Sequence, residues 1–181
     1  MPIQKTTEDE LLDTCMYVFR EKGYNGTSMQ DLANACGLTK GNFYHYYPNK
    51  EALMIAVLKR MNSYFNHLFS KLNDNTIDIR QKKALFKQKA LELFNETGGC
   101  LMGNTALEQT HANPEFRKLL KSFFDQWIDA MKQLYTEDGL TESAATEKAT
   151  LAVAQLEGSV MMMKVFGEKK HLANALDQVL E

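Results

Sequence analysis

The residues from Thr39 to Tyr47 combine side chains that are unusual together on one short segment. The run reads Thr-Lys-Gly-Asn-Phe-Tyr-His-Tyr-Tyr. On a helix, which turns by about 100° per residue, Phe43 and Tyr47 lie on one face and His45 lies opposite them. The first face can anchor the segment to neighbouring helices. The opposite face offers an amide, an imidazole and phenols to another molecule.

The outward face carries hydrogen-bonding groups that can read the major groove of DNA. Asn42 can form two hydrogen bonds with an adenine edge, and His45 can donate to a guanine edge. Gly41 lets the backbone approach DNA closely, while Tyr44 and Tyr46 suit phosphate oxygens, which set the register of binding. The pattern therefore favours a DNA-reading helix. A packing helix with half-buried tyrosines is the alternative.

Charge near this segment is positive, although the chain as a whole is nearly neutral. The sequence holds 21 Lys and Arg against 23 Asp and Glu, so any DNA binding must come from local charge placement. No carboxylate occurs between Asp31 and Glu51, and serine or threonine at a helix N-terminus suits phosphate. The candidate DNA-binding residues are Thr27, Ser28, Thr39, Lys40, Gly41, Asn42, Tyr44, His45, Tyr46 and Lys50.

Three short helices are predicted to position this segment. Thr7 with Glu10 and Thr27 with Gln30 have the spacing of capping boxes, and Thr39 can cap the third helix. A short break around a glycine between the second and third helices is typical of a helix-turn-helix, in which the third helix of such a bundle enters the major groove. The predicted core of the motif comprises Leu32, Ala33, Gly37, Leu38, Phe43 and Tyr47.

The rest of the chain also has the periodicity of helices. No stretch alternates apolar and polar residues as a half-buried strand would. The predicted helices after the motif span about 51–72, 79–95, 102–110, 114–135, 142–166 and 170–180. We therefore expect an all-α fold, with an N-terminal three-helix motif followed by a larger helical domain.

The run from Gly26 to Leu53, GTSMQDLANACGLTKGNFYHYYPNKEAL, resembles the DNA-binding signature of TetR-family transcriptional regulators. The resemblance covers about residues 7–65. The family's characteristic positions are filled by Gly37, Gly41, Tyr44, Tyr47 and Lys50.

This resemblance implies a bacterial regulator, usually a repressor, that binds a pseudo-palindromic operator as a homodimer and is released by a small-molecule effector. Residues 1–50 would form the DNA-binding domain, and residues 51–181 the ligand-binding and dimerisation domain. The implied partners are double-stranded operator DNA, a second copy of the chain and an effector. No cofactor is implied.

The helix predicted after Thr141 has an apolar arc wide enough to be covered on two sides. We predict that one heptad-like stripe of this helix, together with the last helix, forms the dimer interface. That stripe comprises Ala145, Ala149, Ala152, Leu156, Val160 and Met163. A second, adjacent stripe comprises Ala154, Gly158, Met161 and Val165. A core helix of a monomer is the alternative, because alanine is also the best helix former.

Aromatic and thioether side chains are dense enough in the larger domain to line an adaptable apolar pocket. The candidate pocket residues are Phe86, Phe94, Cys100, Phe123, Trp127, Met131 and Met162, with plain core packing as the alternative. Cys100 lies near a predicted helix start, which would lower its pKa. A thiol-based redox or electrophile sensor is therefore the alternative function. Glu157 is expected to be solvated.

Other classes of protein find little support in the sequence. The four histidines are dispersed, and neither metal-ligand spacing nor a phosphate-binding loop nor a nucleophile elbow occurs, so we expect no metal and no enzyme. A helical module that binds protein instead of DNA is a further alternative. Three widely spaced cysteines favour a reducing cytoplasm. The longest apolar run, Ala52–Leu58, is too short to span a membrane, and Met1–Glu10 lacks the apolar stretch of a signal peptide.

Overall fold

The computed structural model describes residues 7–94, 99–109 and 113–181, and these form nine α-helices without a strand. The helices are α1 (Glu8–Lys22), α2 (Met29–Ala35), α3 (Lys40–Tyr46), α4 (Lys50–Leu72), α5 (Ile79–Phe94), α6 (Leu101–Gln109), α7 (Pro114–Glu137), α8 (Glu142–Phe166) and α9 (Lys170–Leu180). The all-α prediction is confirmed. The predicted helix ends at Asn95 and Thr110 lie outside the described residues.

Most helix ends follow from local hydrogen bonding. The Thr7 hydroxyl accepts from the Glu10 amide at 3.2 Å, and the Glu10 carboxylate accepts from the Thr7 amide at 2.9 Å, which confirms the first capping box. Gly23 ends α1 at a φ of 75°, a conformation that costs glycine little. Pro114 begins α7 directly after its cap, Asn113.

The start of the second helix differs from the prediction by one residue. Ser28 caps α2, with its hydroxyl accepting from the Asp31 amide at 3.1 Å, while the Asp31 carboxylate accepts from the Ser28 amide at 2.9 Å. The predicted pair of Thr27 and Gln30 is therefore wrong. A charged carboxylate is favoured in the first turn because it also interacts with the positive end of the helix dipole, which the amide of Gln30 does not.

The three short helices pack on one another and on the start of α4. Their fully buried side chains are Leu11, Cys15, Phe19, Leu32, Ala33 and Phe43. Cys15 is buried and Cys36 is half-buried, with their sulfur atoms 3.8 Å apart. Helix α4 continues into the larger domain and packs on α7, so one helix joins the motif to the remainder of the fold.

Polar contacts fix several helix pairs inside the larger domain and at its junction with the motif. Lys82 of α5 is fully buried, and its ammonium donates to Glu137 of α7 at 2.6 Å. The Tyr135 hydroxyl donates to the Val179 carbonyl at 2.6 Å, joining α7 to α9. At the junction, Arg60 of α4 pairs with two aspartates of α1. Within the described ranges, no helix is long and apolar enough to cross a membrane.

Candidate functional site

Helix α3 has the orientation that the spacing of its residues predicts. Phe43 is fully buried and Tyr47 is buried beside it. The residues on the other sides of the helix face outward. The exposed residues there are Gly41, Asn42, Tyr44, His45 and Tyr46. The structure therefore brings the candidate base-reading groups together on one accessible surface.

Two contacts hold α3 in place in addition to its apolar anchor. The Tyr47 hydroxyl donates to the Glu8 carboxylate at 2.7 Å, which ties the end of α3 to the start of α1. Burial is the largest of the causes that raise the pKa of Tyr47, and this hydrogen bond is the next. The hydroxyl therefore stays protonated and remains a donor. At the other end, the Thr39 hydroxyl accepts from the Asn42 amide at 3.3 Å. The outward side chains are thus presented from a fixed helix.

Gly41 and Lys40 have surroundings that suit approach by another molecule. A Cβ atom on Gly41 would meet nothing within 4 Å, so packing within the subunit does not require a glycine at this position. The missing side chain matters only when a second molecule comes close. Lys40 is exposed, and its ammonium lies 5.9 Å from the centre of the Tyr44 ring.

Two candidate DNA-binding residues face the protein interior instead. Thr27 is buried, and its hydroxyl donates to the Gly23 carbonyl at 2.6 Å. The Lys50 ammonium donates to the carbonyls of Tyr24 and Thr27 at 2.7 and 2.8 Å and lies 4.2 Å from the centre of the Tyr24 ring. Desolvation lowers the pKa of Lys50. The turn between α1 and α2 uses the polar groups of both residues in the single subunit, and their assignment to phosphate stays a prediction.

The other predicted residues of the motif lie where the pattern puts them. Leu32 and Ala33 are buried, Leu38 is half-buried, and Gly37 has a φ of 67° in the turn before α3. Ser28 and Thr39 are exposed at the starts of α2 and α3. The geometry of a helix-turn-helix is therefore complete in the described residues.

A cavity of about 350 Å³ opens between α6, α7 and α8. Its walls include Cys100, Leu107, Phe124, Glu157, Met161 and Lys164. Of the seven residues predicted to line a pocket, only Cys100 is among the lining residues. Sequence reasoning expected Glu157 to be solvated and left it out of the pocket residues, although a glutamate between Leu156 and Gly158 on an apolar helix was a visible signal.

Most of the predicted pocket residues belong to the core. Phe86, Phe94, Phe123 and Trp127 surround a void of only about 20 Å³. Their rings fill the space themselves, with the Phe123 centroid 4.8 Å from Phe65 and 5.7 Å from Trp127. Met131 is fully buried in this core, whereas Met162 is 38% exposed on the surface of α8. The pocket assignment is wrong for these six residues. Five of them pack in the core, as the alternative predicted, and the side chain of Met162 faces outward.

The two acidic groups of the cavity differ in burial: Cys100 is buried, and Glu157, which was expected to be solvated, is half-buried. Burial raises the pKa of the Cys100 thiol well above its ordinary value, and nearby Glu157 raises it further. The predicted lowering by a helix start was wrong, because desolvation outweighs the amide hydrogen bonds. Burial also raises the pKa of Glu157, which is not solvated. A thiol held protonated is a weak nucleophile, so this environment does not favour Cys100 as a reactive sensor.

Helix α8 covers the core with the stripe that was assigned to a dimer interface. All six residues of that stripe are buried within the subunit: Ala145, Ala149, Ala152, Leu156, Val160 and Met163. The interface assignment is therefore wrong for this stripe, since its side chains already contact the subunit's own helices. The adjacent stripe is the accessible one, with Met161 58% and Val165 70% exposed.

Helix α6 connects the cavity to the motif. Gly103 and Leu107 line the cavity, and Glu108 reaches the opposite side of the same helix. The Glu108 carboxylate accepts from the backbone amides of Tyr24 and Asn25 at 3.3 and 2.7 Å, in the turn between α1 and α2. A displacement of α6 would therefore act directly on the turn that precedes α2.

No group of three metal-ligating side chains occurs in the part of the chain that the structure describes. The arrangement offers instead a hydrogen-bonding helix face, an apolar cavity and a connection between them. These are the parts of a binding protein whose two sites can influence each other.

The chain is similar to known proteins over most of its length. Residues 11–57 match the family model for bacterial regulatory proteins of the tetR family, and residues 83–178 match the model for the C-terminal domain of LmrA/YxaF-like transcriptional regulators. The chain is 25% identical over 177 residues to the HTH-type transcriptional regulator YxaF of Bacillus subtilis, covering 96% of this chain and 93% of that protein. It is 27% identical over 177 residues to the HTH-type transcriptional repressor DhaR of Mycobacterium sp., covering 94% and 89%.

A solved structure supports the same relationship at the level of the fold. The crystal structure of a TetR transcriptional regulator from Legionella pneumophila superposes with a TM-score of 0.86 at 21% identity, covering 99% of this chain and 97% of that one. The C-terminal model alone spans more than half of the present chain. The chain therefore belongs to the TetR family of DNA-binding bacterial transcriptional regulators.

Proposed function

We propose that the protein is a homodimeric repressor that binds a pseudo-palindromic operator and leaves it when a small molecule occupies the cavity between α6, α7 and α8. Residues 1–50 form the DNA-binding domain of this proposal, and residues 51–181 form the ligand-binding and dimerisation domain. The observation that carries it is the outward polar face of α3, anchored from behind by Phe43 and Tyr47. The description of the relative DhaR as a repressor favours repression over activation.

Each subunit would place α3 in one of two successive major grooves, about 34–36 Å apart. Asn42 and His45 read base edges, because both side chains are exposed on the outward face and have the hydrogen-bonding groups for adenine and guanine. Phosphate contacts come from the exposed residues around them, namely Ser28, Thr39, Lys40, Tyr44 and Tyr46.

Replacing Asn42 or His45 by alanine should relax the preference for the operator sequence. Each loss of a base contact should weaken binding to the operator by about 1–3 kcal/mol while leaving binding to unrelated DNA almost unchanged. Fluorescence anisotropy with a duplex from the protein's own upstream region, compared with a scrambled duplex of the same length, measures both affinities.

Lys40→Ala is the matched control for this experiment. An ammonium that contacts phosphate contributes equally to every sequence, so this variant should weaken both duplexes alike and reduce the salt slope by about one. Equal weakening of the two duplexes by Asn42→Ala and His45→Ala would overturn the assignment of base readout to the outward face of α3. Failure of the wild-type chain to prefer any upstream duplex would overturn the proposed function itself.

A ligand in the cavity would affect DNA binding through α6. The ligand contacts one side of this helix, and Glu108 on its other side accepts from Tyr24 and Asn25. The carbonyls of Tyr24 and Thr27 in turn hold Lys50 at the start of α4. Movement of α6 therefore reaches both α2 and α4, which together set the position of α3. The ligand can change operator affinity only as far as it binds one arrangement of these helices more tightly than the other.

The Glu108→Ala variant should bind cavity ligands but lose their effect on DNA. Coupling between two sites is typically about 5–150-fold in affinity, and removal of both accepted hydrogen bonds should bring that ratio close to one. Compounds that raise the Tm of the purified protein serve as ligands. Anisotropy with and without each compound gives the ratio, and Glu92→Ala, an exposed change on α5, is the control. An unchanged ratio in Glu108→Ala would exclude this route.

A further inference from the structure

Glu157 places a carboxyl group in a cavity that is otherwise mainly apolar. Its Oε1 atom is buried and has no hydrogen-bond partner among the described residues. Phe124, Leu107 and Met161 supply apolar wall around it. The position of the carboxyl also explains Gly103, because a Cβ atom there would lie 2.5 Å from Glu157 Oε2. The backbone of α6 thus leaves room for this group.

Among the described residues of the cavity wall, no buried cation faces the carboxyl. Burial raises the pKa of Glu157, and a hydrogen bond with the Cys100 thiol opposes that rise in part. Lys164 lines the cavity but is an exposed residue at the surface of α8. Arg20 lies behind Gly99, and its guanidinium donates to the carbonyls of Gly99 and Leu93. Buried carboxyl groups are ordinarily paired or hydrogen-bonded, and beyond the weak donor of the Cys100 thiol the described residues leave Glu157 Oε1 without a donor.

We propose that the cavity binds a lipophilic amine, whose ammonium donates to Glu157 while its hydrocarbon body contacts the apolar wall. This inference rests on the proposed function, since it names the chemical class of the effector. An ammonium satisfies both the unpaired oxygen and the negative charge. A neutral alcohol would supply the hydrogen bond without the charge, and a carboxylic acid would bring a second negative charge to the same place. The volume of about 350 Å³ lies within the usual range for small ligands.

Three probes of equal size separate these possibilities: 1-naphthylmethylamine, 1-naphthalenemethanol and 1-naphthoic acid. Isothermal titration calorimetry on the purified chain without DNA gives their affinities. The amine should bind at least about 10-fold more tightly than the alcohol, because hydrogen bonds between charged groups are stronger, and the acid should bind most weakly. Equal affinity of amine and alcohol, or no binding of the amine, would overturn the proposal without any variant being needed.

The Glu157→Gln variant tests the residue itself, because it keeps the size of the side chain and removes the charge. Its affinity for the amine should fall by at least about 10-fold, while its affinity for the alcohol should stay within about twofold. Glu92→Gln should change neither value. Retention of wild-type affinity for the amine in Glu157→Gln would show that the carboxyl does not recognise it.

The outcome can be separated from that of the proposed function. The calorimetry contains no DNA, so a failure to bind the amine leaves operator binding and the role of α3 intact. A second measurement adds the amine to the complex with the upstream duplex and follows anisotropy. Release of the duplex in wild type, and not in Glu157→Gln, supports both proposals. Binding of the amine without release supports the ligand class and overturns its role as effector.

Discussion

The Phe43→Ala variant should lose about 3–5 kcal/mol of the free energy of unfolding and no longer bind operator. Phe43 is fully buried, and no other residue of α3 is buried. The helix has seven residues, too few to be stable without tertiary contacts. Removal of the ring leaves a cavity between α3 and α2, the helix that carries Leu32 and Ala33, so the surface that reads DNA loses its support.

Urea denaturation followed by circular dichroism measures this effect, and the midpoint should fall while the slope stays close to that of wild type. His45→Ala is the matched control, since His45 is on the same helix and exposed, and its substitution should change stability by less than about 0.5 kcal/mol. An unchanged midpoint for Phe43→Ala would mean that α3 is not held by this ring.

The orientation of α3 could be predicted because it depends on local geometry alone. The angle between successive residues fixes which side chains share a face, and the caps at Thr39 and Asn49 fix where α3 and α4 begin. Both features are visible in the sequence without knowledge of any distant contact. The same holds for the cap at Asn113 and for the turns at Gly23 and Gly37.

The roles of Thr27 and Lys50 could not be predicted in this way. The sequence shows that each residue lies near a helix start, and it does not show that the carbonyls of Tyr24 and Gly23 are directed towards them. The Lys50 acceptors come into reach only when α4 packs beside the turn between α1 and α2, and the Thr27 contact depends on how that turn itself folds back on the end of α1. The same limit applies to Glu157, whose environment depends on the approach of α6 from more than 50 positions away.

Helix α8 illustrates how a pattern can predict two faces without saying which is buried. Both stripes repeat at heptad spacing, so periodicity predicts a helix covered on two sides. Small alanines dominate the stripe that contacts α7 and α9, where close packing leaves little room. The larger side chains of Leu151 and Val165 remain outside. The buried stripe also holds Leu156, Val160 and Met163, so neither periodicity nor size alone says which face is buried.

The accessible stripe of α8 provides the dimer contact of the proposed function. Its members follow alternating intervals of three and four residues, which is the spacing of a coiled-coil seam. They are Ala154, Gly158, Met161 and Val165, to which the structure adds Leu151, and Gly158 and Met161 also line the cavity, so the seam and the cavity adjoin. Leu151 is 64% exposed in the single subunit, and so large an apolar seam on a helix is typical of a surface that another chain covers. The small residues at its centre would let two such helices approach closely.

The double variant Leu151→Glu/Val165→Glu should therefore be monomeric, because two carboxylates per subunit would be buried opposite their copies. A monomer binds one half-site at a time, so affinity for the operator should fall towards non-specific binding, by at least about 1,000-fold. Sedimentation velocity gives the mass and anisotropy gives the affinity. Thr136→Glu/Thr146→Glu adds the same charge at exposed positions away from the seam and should change neither. If the double variant remains a dimer, the dimer contact lies on another surface. If it remains a dimer and still loses affinity for the operator, dimerisation and operator recognition are separate properties.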